Sequence, residues 1–229
     1  MRDLGGVQTL NGRSLKRGRI FRADAMHALT DRDLETLELL GIRTVIDLRT
    51  REETVAHGSS RLVETGATLI WAPILGEDPV PEGGFEIQPT LGEDYRMLAR
   101  IFPNHIVHAI EEVSRIESMP LVFHCASGKD RTGITAALVL SLLGVDRRVI
   151  VDDYVMTNNA MPQIFANTPS EEMDALRTRF PPSFLRADAE SIMSLLEMMD
   201  DEFGSPEAWL LCAGVNQTSI SRLRAGMLV

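Results

Sequence analysis

The stretch Pro120 to Leu143, PLVFHCASGKDRTGITAALVLSLL, constrains this chain more than any other. Leu121-Val122-Phe123 is apolar, rich in β-formers and too short for a helix, so it predicts a strand buried on both faces. Ile134 to Leu143 is apolar nearly all round and holds no breaker, which predicts a buried helix that Gly144 ends. Only the short loop Cys125-Ala126-Ser127-Gly128-Lys129-Asp130-Arg131 stands between them. A strand that turns at once into a helix aims several free backbone N–H groups into one concavity. The helix N-terminus adds positive dipole there, and the result is a site for phosphate or sulfate.

Each residue type in the loop fits that task. Gly128 has no Cβ and lets the backbone approach an anion. Arg131 opens the helix, and its planar guanidinium can hold two phosphate oxygens at once. Cys125, at the strand end, faces the same positive field, which favours the thiolate. A thiolate below a bound phosphoryl group is a nucleophile aligned for in-line attack. The ordinary fate of a lone cysteine is that of a small buried hydrophobe, and this is expected of Cys212 in Trp209-Leu210-Leu211-Cys212. Two rival motifs fail. Gly128-Lys129 is followed by Asp130 rather than Ser or Thr, and Phe123 stands where a nucleotide-binding P-loop needs its first Gly. Two cysteines without a C-x-x-C pair supply no zinc ligand set, so neither metal nor cofactor is expected.

The run HCASGKDRTG, His124 to Gly133, resembles the H-C-x5-R-[ST]-G signature of the protein tyrosine phosphatase superfamily. Its interior Gly128-Lys129-Asp130 is similar to a bacterial branch that acts on phosphotyrosine and often on phosphoinositides. RDLGG, GRIFRAD and TVIDLR resemble the same branch, so the likeness covers roughly the first 150 residues, and beyond it only a helical pattern is legible. The resemblance implies a cysteine phosphatase fold and a role for His124 in orienting the loop or stabilising the thiolate. It also implies a helical insertion that covers the site as a lid.

Composition narrows the classes further. At 229 residues and 44% hydrophobic, the chain can bury one substantial core. A single phosphatase domain over 1–229 is therefore expected, with 156–186 either a lid or substrate-channel wall or, equally, ordinary core packing, and C-terminal helices over 187–229. The formal charge of −10 argues against general nucleic-acid binding and against broad adhesion to anionic membranes. Met1-Arg2-Asp3-Leu4-Gly5-Gly6 holds no apolar signal region, and no apolar run is long enough to span a bilayer. A nucleophilic thiol suits a reducing compartment, so a cytoplasmic location is expected. Only Lys16 and Lys129 are lysines among 23 basic residues. Lys129 is thus either a solvated loop charge or a contact for a second phosphate or an acidic substrate.

Read in order, the chain alternates strand and helix, which points to an α/β layer fold with a central, mostly parallel sheet flanked by helices. Residues 3–24 read as an extended, strand-rich opening with a hairpin signal at Asn11-Gly12. Thr30 with Asp33 resembles a capping box opening a helix over Asp31–Leu40. Thr44–Leu48 reads as a parallel strand, Arg51–His57 as a short helix and Ala67–Pro73 as another strand. Residues 76–92 are rich in Gly and Pro and read as a long surface loop. Helices follow over Asn104–Ser118, from Asp146 through Val155, from Ser170, over Ala187–Phe203, and twice within 206–227. His105 and His108 read as surface or satisfied histidines.

Asp47 sits at a strand's carboxyl end, where open α/β sheets place ligands, so Asp47 and Arg49 are candidates for the same mouth as Cys125. The competing reading has Asp47 capping the next helix or pairing with an arginine. The proton donor is open. Asp130, inside the loop, is the first candidate, Asp47 the second and Asp78 a distant third. The superfamily commonly supplies an Asp from an upstream Trp-Pro-Asp loop, but Trp71-Ala72-Pro73 is only a partial echo and lacks the acid. The expected reaction is two-step hydrolysis of a phosphomonoester through a phosphocysteine on Cys125. The N–H groups of Ala126, Ser127, Gly128, Lys129, Asp130 and Arg131 cradle the phosphoryl oxygens, and Thr132 donates to the sulfur as it leaves. The substrate is expected to be a phosphotyrosine protein, with a phosphoinositide or dual-specificity activity as the alternative. A sulfurtransferase or a catalytically silent phosphoprotein-binding module would use the same cradle differently.

Overall fold

The computed structural model describes residues 1–75 and 87–229. Glu77 and Asp78, and most of the predicted 76–92 loop, lie outside those residues. The elements run β1 (Arg2–Asp3), β2 (Ile20–Ala23), α1 (Asp31–Leu39), β3 (Thr44–Asp47), α2 (Arg51–His57), β4 (Thr68–Trp71), α3 (Leu91–Ile101) and α4 (Pro103–Val113). They continue with β5 (Leu121–His124), α5 (Asp130–Leu142), α6 (Arg147–Val155), α7 (Met161–Asn167), α8 (Ser170–Arg179), α9 (Ala189–Phe203), α10 (Pro206–Ala213) and α11 (Gln217–Met227).

The five strands pair in the order β1-β2-β5-β3-β4, parallel throughout except for the edge pair β1–β2. The sheet is therefore mixed but mostly parallel, as the alternating pattern predicted. β5 lies at its centre and is buried along its whole length, which is why it reads as a continuous apolar run. Side chains alternate across it. Val45 and Val122 join Phe21, Leu37 and Ile42 in a smaller core on the α1 side. Ile46, Leu121 and Phe123 face the large core built by α3 to α6 and α9 to α11.

The register matters most for function. Ala23, His124, Asp47 and Trp71 sit opposite one another in adjacent parallel strands, so the chains leaving β2, β5, β3 and β4 all emerge at one edge. Ligand sites of open α/β sheets form at that edge.

Several local expectations meet the structure well. Thr30 and Asp33 form the expected reciprocal capping box on α1, and Thr50 with Glu53 forms another on α2 that sequence reasoning missed. Gly144, at φ +75°, follows α5 and its C-cap Leu143. Others need correction. The Asn11-Gly12 turn closes on one isolated bridge, Gln8 with Ser14, rather than on a hairpin of two strands, and the next residue, Leu15, bridges to Leu228 near the far end of the chain. Helix α3 went unpredicted although Thr90 and Glu93 cap it in the same way. Its polar first turn follows directly on a Gly/Pro-rich segment, which hid the start. Helix α4 ends at Val113, short of Ser118, because Arg115 takes an extended backbone (φ −77°, ψ 98°) and a separate single turn, Ile116–Ser118, follows. Cys212 is exposed, not a buried hydrophobe. It lies on the outer face of α10, whose Trp209 and Leu210 take the core positions.

Candidate active site

Cys125 follows the last residue of β5 and is 1% exposed. The loop after it meets α5 at Asp130. Among the described residues, none of the backbone N–H groups from Ala126 to Arg131 donates to another backbone carbonyl. Six N–H groups at a helix N-terminus thus have no backbone acceptor, which is the geometry of an anion site.

What shapes the loop is a set of ties that no local pattern announces. Ala25 N donates to Ala126 O at 2.9 Å. Arg22, buried on β2, donates through Nη2 to Gly128 O at 2.8 Å and through Nη1 to Asp153 Oδ2 at 2.6 Å. Gly128 has φ +68°, and a Cβ there would lie 2.7 Å from Ala23 O. The glycine is therefore needed for the loop to pass the end of β2, a tighter reason than close approach of an anion.

Arg131 is bound by Glu53, from the first turn of α2. Nη1 donates to Oε2 at 2.5 Å and Nη2 to Oε1 at 2.6 Å. This grip leaves Nε–H and the second Nη2–H for two oxygens of a phosphoryl group. Burial works against the guanidinium's charge. The hydrogen bonds to Glu53, then the charges of Cys125, Glu53 and Asp130, raise its pKa above the ordinary value, so it stays cationic. For Glu53, burial alone would raise the pKa, but Arg131 and the Thr50 amide hold it below the usual carboxylate range. Glu53 and Arg22 are the functional neighbours that sequence reasoning missed.

The other predicted residues fall as follows. Thr132 is fully buried and its Oγ1 has no hydrogen-bond partner among the described residues. His124 is fully buried, with Nδ1 3.0 Å from Cys125 O and Nε2 3.8 Å from Asp47 Oδ2. Burial lowers its pKa, with the Asp47 charge working the other way. Asp47 is 0% exposed and paired with Arg49, whose Nη2 lies 2.7 Å from Oδ2. The pairing alternative is the one the structure displays, and Thr50 rather than Asp47 caps α2.

Lys129 is neither solvated nor turned to a second phosphate. It is 3% exposed, and Nζ donates to Phe184 O and reaches Arg186 O at 3.4 Å and Asp130 Oδ1 at 3.1 Å. Asn158 pairs with the backbone of Ala187, at 2.9 and 2.8 Å, and adds a second tie to the same segment. On the far side, Glu172 of α8 lies 3.9 Å from His57 at the end of α2. Residues 156–186 thus run from the flank of the loop to α2. A cleft of about 330 Å³ lies along that flank, lined by Arg22, Asp24, Ser127, Gly128, Met156 and Ile164 among others. Neither Cys125 nor Arg131 lines it.

His105 shares a 3.0 Å hydrogen bond with Pro73 O, and His108 is half exposed beside Glu112. Among the described residues, no group of three His, Cys, Asp or Glu side chains could hold a metal ion. No helix among them is long and apolar enough to cross a membrane.

A buried cysteine beneath an N–H cradle, with a braced arginine beside it, is the site of a cysteine-dependent phosphatase. The tyrosine phosphatase family model matches residues 1–229, and the chain belongs to that family. It is 29% identical to the triple specificity protein phosphatase PtpB of Mycobacterium tuberculosis, over 99% of this chain and 95% of that one. It is 24% identical to a tyrosine-protein phosphatase of Nostoc commune, over 86% of this chain and 69% of the other. Among solved structures, the catalytic domain of the S. cerevisiae PP-IP phosphatase SIW14 matches at 15% identity with a TM-score of 0.41. That overlap covers 82% of this chain and 92% of the other, and it is too loose to place side chains.

Proposed function

We infer that the enzyme hydrolyses phosphotyrosine in proteins through a phosphocysteine on Cys125. The observation that supports this most is Arg131, held by Glu53 with its Nε–H and second Nη2–H still unpaired among the described residues, at the mouth of a loop of unpaired N–H groups that starts at Cys125. In the first step Cys125 Sγ bonds to phosphorus while the ester P–O bond breaks. The leaving phenolate oxygen takes its proton from Asp130, whose side chain is 37% exposed in the first turn of α5. In the second step water attacks phosphorus and gives its proton back to Asp130. The S–P bond breaks, and the unpartnered Thr132 hydroxyl donates to the departing sulfur. Asp47 is too deeply buried and too firmly paired to compete for the acid's role.

Residues 156–186 act in this reading as the lid over the site, held by Lys129 through Phe184 O and closed at its base where Asn158 pairs with the Ala187 backbone. Because Lys129 spends its ammonium on lid carbonyls and on Asp130, it does not favour a second phosphate, and a phosphotyrosine protein is preferred over a phosphoinositide. The triple-specificity name of the M. tuberculosis relative supports a range wider than tyrosine alone. A reducing, cytoplasmic setting suits the thiol.

The test is phosphate release from phosphotyrosine and phosphoserine peptides and from a phosphoinositide panel, by wild type and Cys125→Ser. Fastest release from the phosphotyrosine peptide, abolished in the variant, is expected. No release by folded, reduced wild type would make the chain a phosphoprotein-binding module, and preference for an inositol lipid would overturn the substrate assignment.

A further inference from the structure

Two tyrosines stand behind Asp130 on helices distant in sequence. Tyr95 of α3 donates its hydroxyl to Asp130 Oδ1 at 2.6 Å, and its oxygen lies 2.7 Å from the hydroxyl of Tyr154 on α6. A phenol has one hydrogen to give. Tyr95 spends it on the carboxylate, so Tyr154 donates to Tyr95, and the chain of donors runs towards Asp130. The rings meet edge to face at 6.2 Å, and both residues are buried. Gly133 makes room for this arrangement, since a Cβ there would lie 2.8 Å from Tyr154 Cδ2. Burial, and then the charge of Asp130, raise the pKa of both phenols, so they stay neutral donors.

The remaining contact on Asp130 falls on the same oxygen, from Lys129 Nζ at 3.1 Å. Among the described residues, Oδ2 has no hydrogen-bond partner. We propose that Tyr95, backed by Tyr154, is a positioning residue for the proton donor: it holds Oδ1 and leaves Oδ2 to the substrate. The proposal rests on the reading of Asp130 as the acid. A hydrogen bond donated to a carboxylate favours its ionised form. Loss of the Tyr95 hydroxyl therefore lets Asp130 hold its proton to higher pH. The other titratable and charged groups facing Asp130 are Asp94 on α3, Lys129 and Arg131 beside it, and Tyr154. All of them persist in Tyr95→Phe.

The experiment is kcat/KM against pH for wild type, Tyr95→Phe, Tyr154→Phe, Asp130→Asn and the Tyr95→Phe/Asp130→Asn double variant, each with a thermal melt to show that it is folded. The alkaline limb should move up by about one pH unit in Tyr95→Phe and by less, in the same direction, in Tyr154→Phe. Asp130→Asn should lack that limb, and adding Tyr95→Phe to it should change nothing further. If Asp130→Asn loses the limb while both tyrosine variants leave it in place, the positioning role is wrong and the acid stands. If Asp130→Asn keeps the limb, the acid assignment itself fails. Should Tyr95→Phe not fold, Tyr154→Phe, which leaves every direct contact of Asp130 intact, decides by the same shift.

Discussion

Glu53 Oε1 accepts a hydrogen bond from Arg131 Nη2 at 2.6 Å across 78 residues of chain, while Oε2 accepts the amide of Thr50 at 2.8 Å. One carboxylate thus caps α2 and aims the arginine of the phosphate loop. Replacing it by Gln keeps the volume and the cap but not the ionic fork. We expect Glu53→Gln to lower kcat/KM for a phosphotyrosine peptide by about 10²-fold, the scale of a misplaced positioning group. An unchanged rate would show that Arg131 needs no brace.

The same carboxylate carries a pH signature. Its folded pKa lies below its ordinary value of 4.5, so the stability it adds is present above pH 4.5 and is lost as pH falls through the folded value. Melting temperature followed from about pH 6 down to about pH 3 should drop more steeply in wild type than in Glu53→Gln. Parallel curves would remove Glu53 from the acid response.

His124 acts in a higher window. Burial lowers its pKa below 6.5, so the unfolded chain takes up a proton there before the folded one does. Stability should therefore fall as pH drops below 6.5, with a slope that His124→Asn reduces. His27, also lowered by burial, contributes in the same sense, so the variant should flatten the curve only in part.

Gly128→Ala puts a Cβ against the backbone of Ala23 at a φ of +68°. The left-handed conformation alone costs about 1–2 kcal/mol, and the carbonyl it meets belongs to a central strand pair and cannot give way. We expect a lower melting temperature together with loss of phosphate release. A variant that melts lower yet turns over normally would show that the loop tolerates displacement.

Lys129→Met keeps most of the stem and deletes the ammonium that Phe184 O and Arg186 O accept from. Limited proteolysis within 168–186 should speed up several-fold over wild type, while cleavage elsewhere stays slow. Equal rates would mean that Lys129 does not hold the segment.

The central strand, the anion loop and the buried helix were legible because they are local. Leu121 to Leu143 carries its own hydrophobic period, its turn and its termination signal within one short span. The capping box at Thr30 was legible for the same reason, its partner lying three residues away. Cys212 misled because Trp209-Leu210-Leu211-Cys212 is uniformly apolar, and only packing decides which face of α10 is covered.

The sequence alone pointed to Cys125, the loop after it and Arg131 as the candidate site, since a strand turning into a helix creates an anion site by backbone geometry whatever surrounds it. Only the tertiary structure decided which groups hold that cradle in working order. Glu53 meets Arg131, Arg22 meets Gly128 across 106 residues, Tyr95 meets Asp130, and Lys129 turns away from solvent to the 184–186 carbonyls. Such pairs leave no periodic trace, because a hydrogen bond requires only that two groups arrive at one point in space. What brings them there is the register of the parallel strands, which sets the carboxyl ends of β2, β5, β3 and β4 in one row.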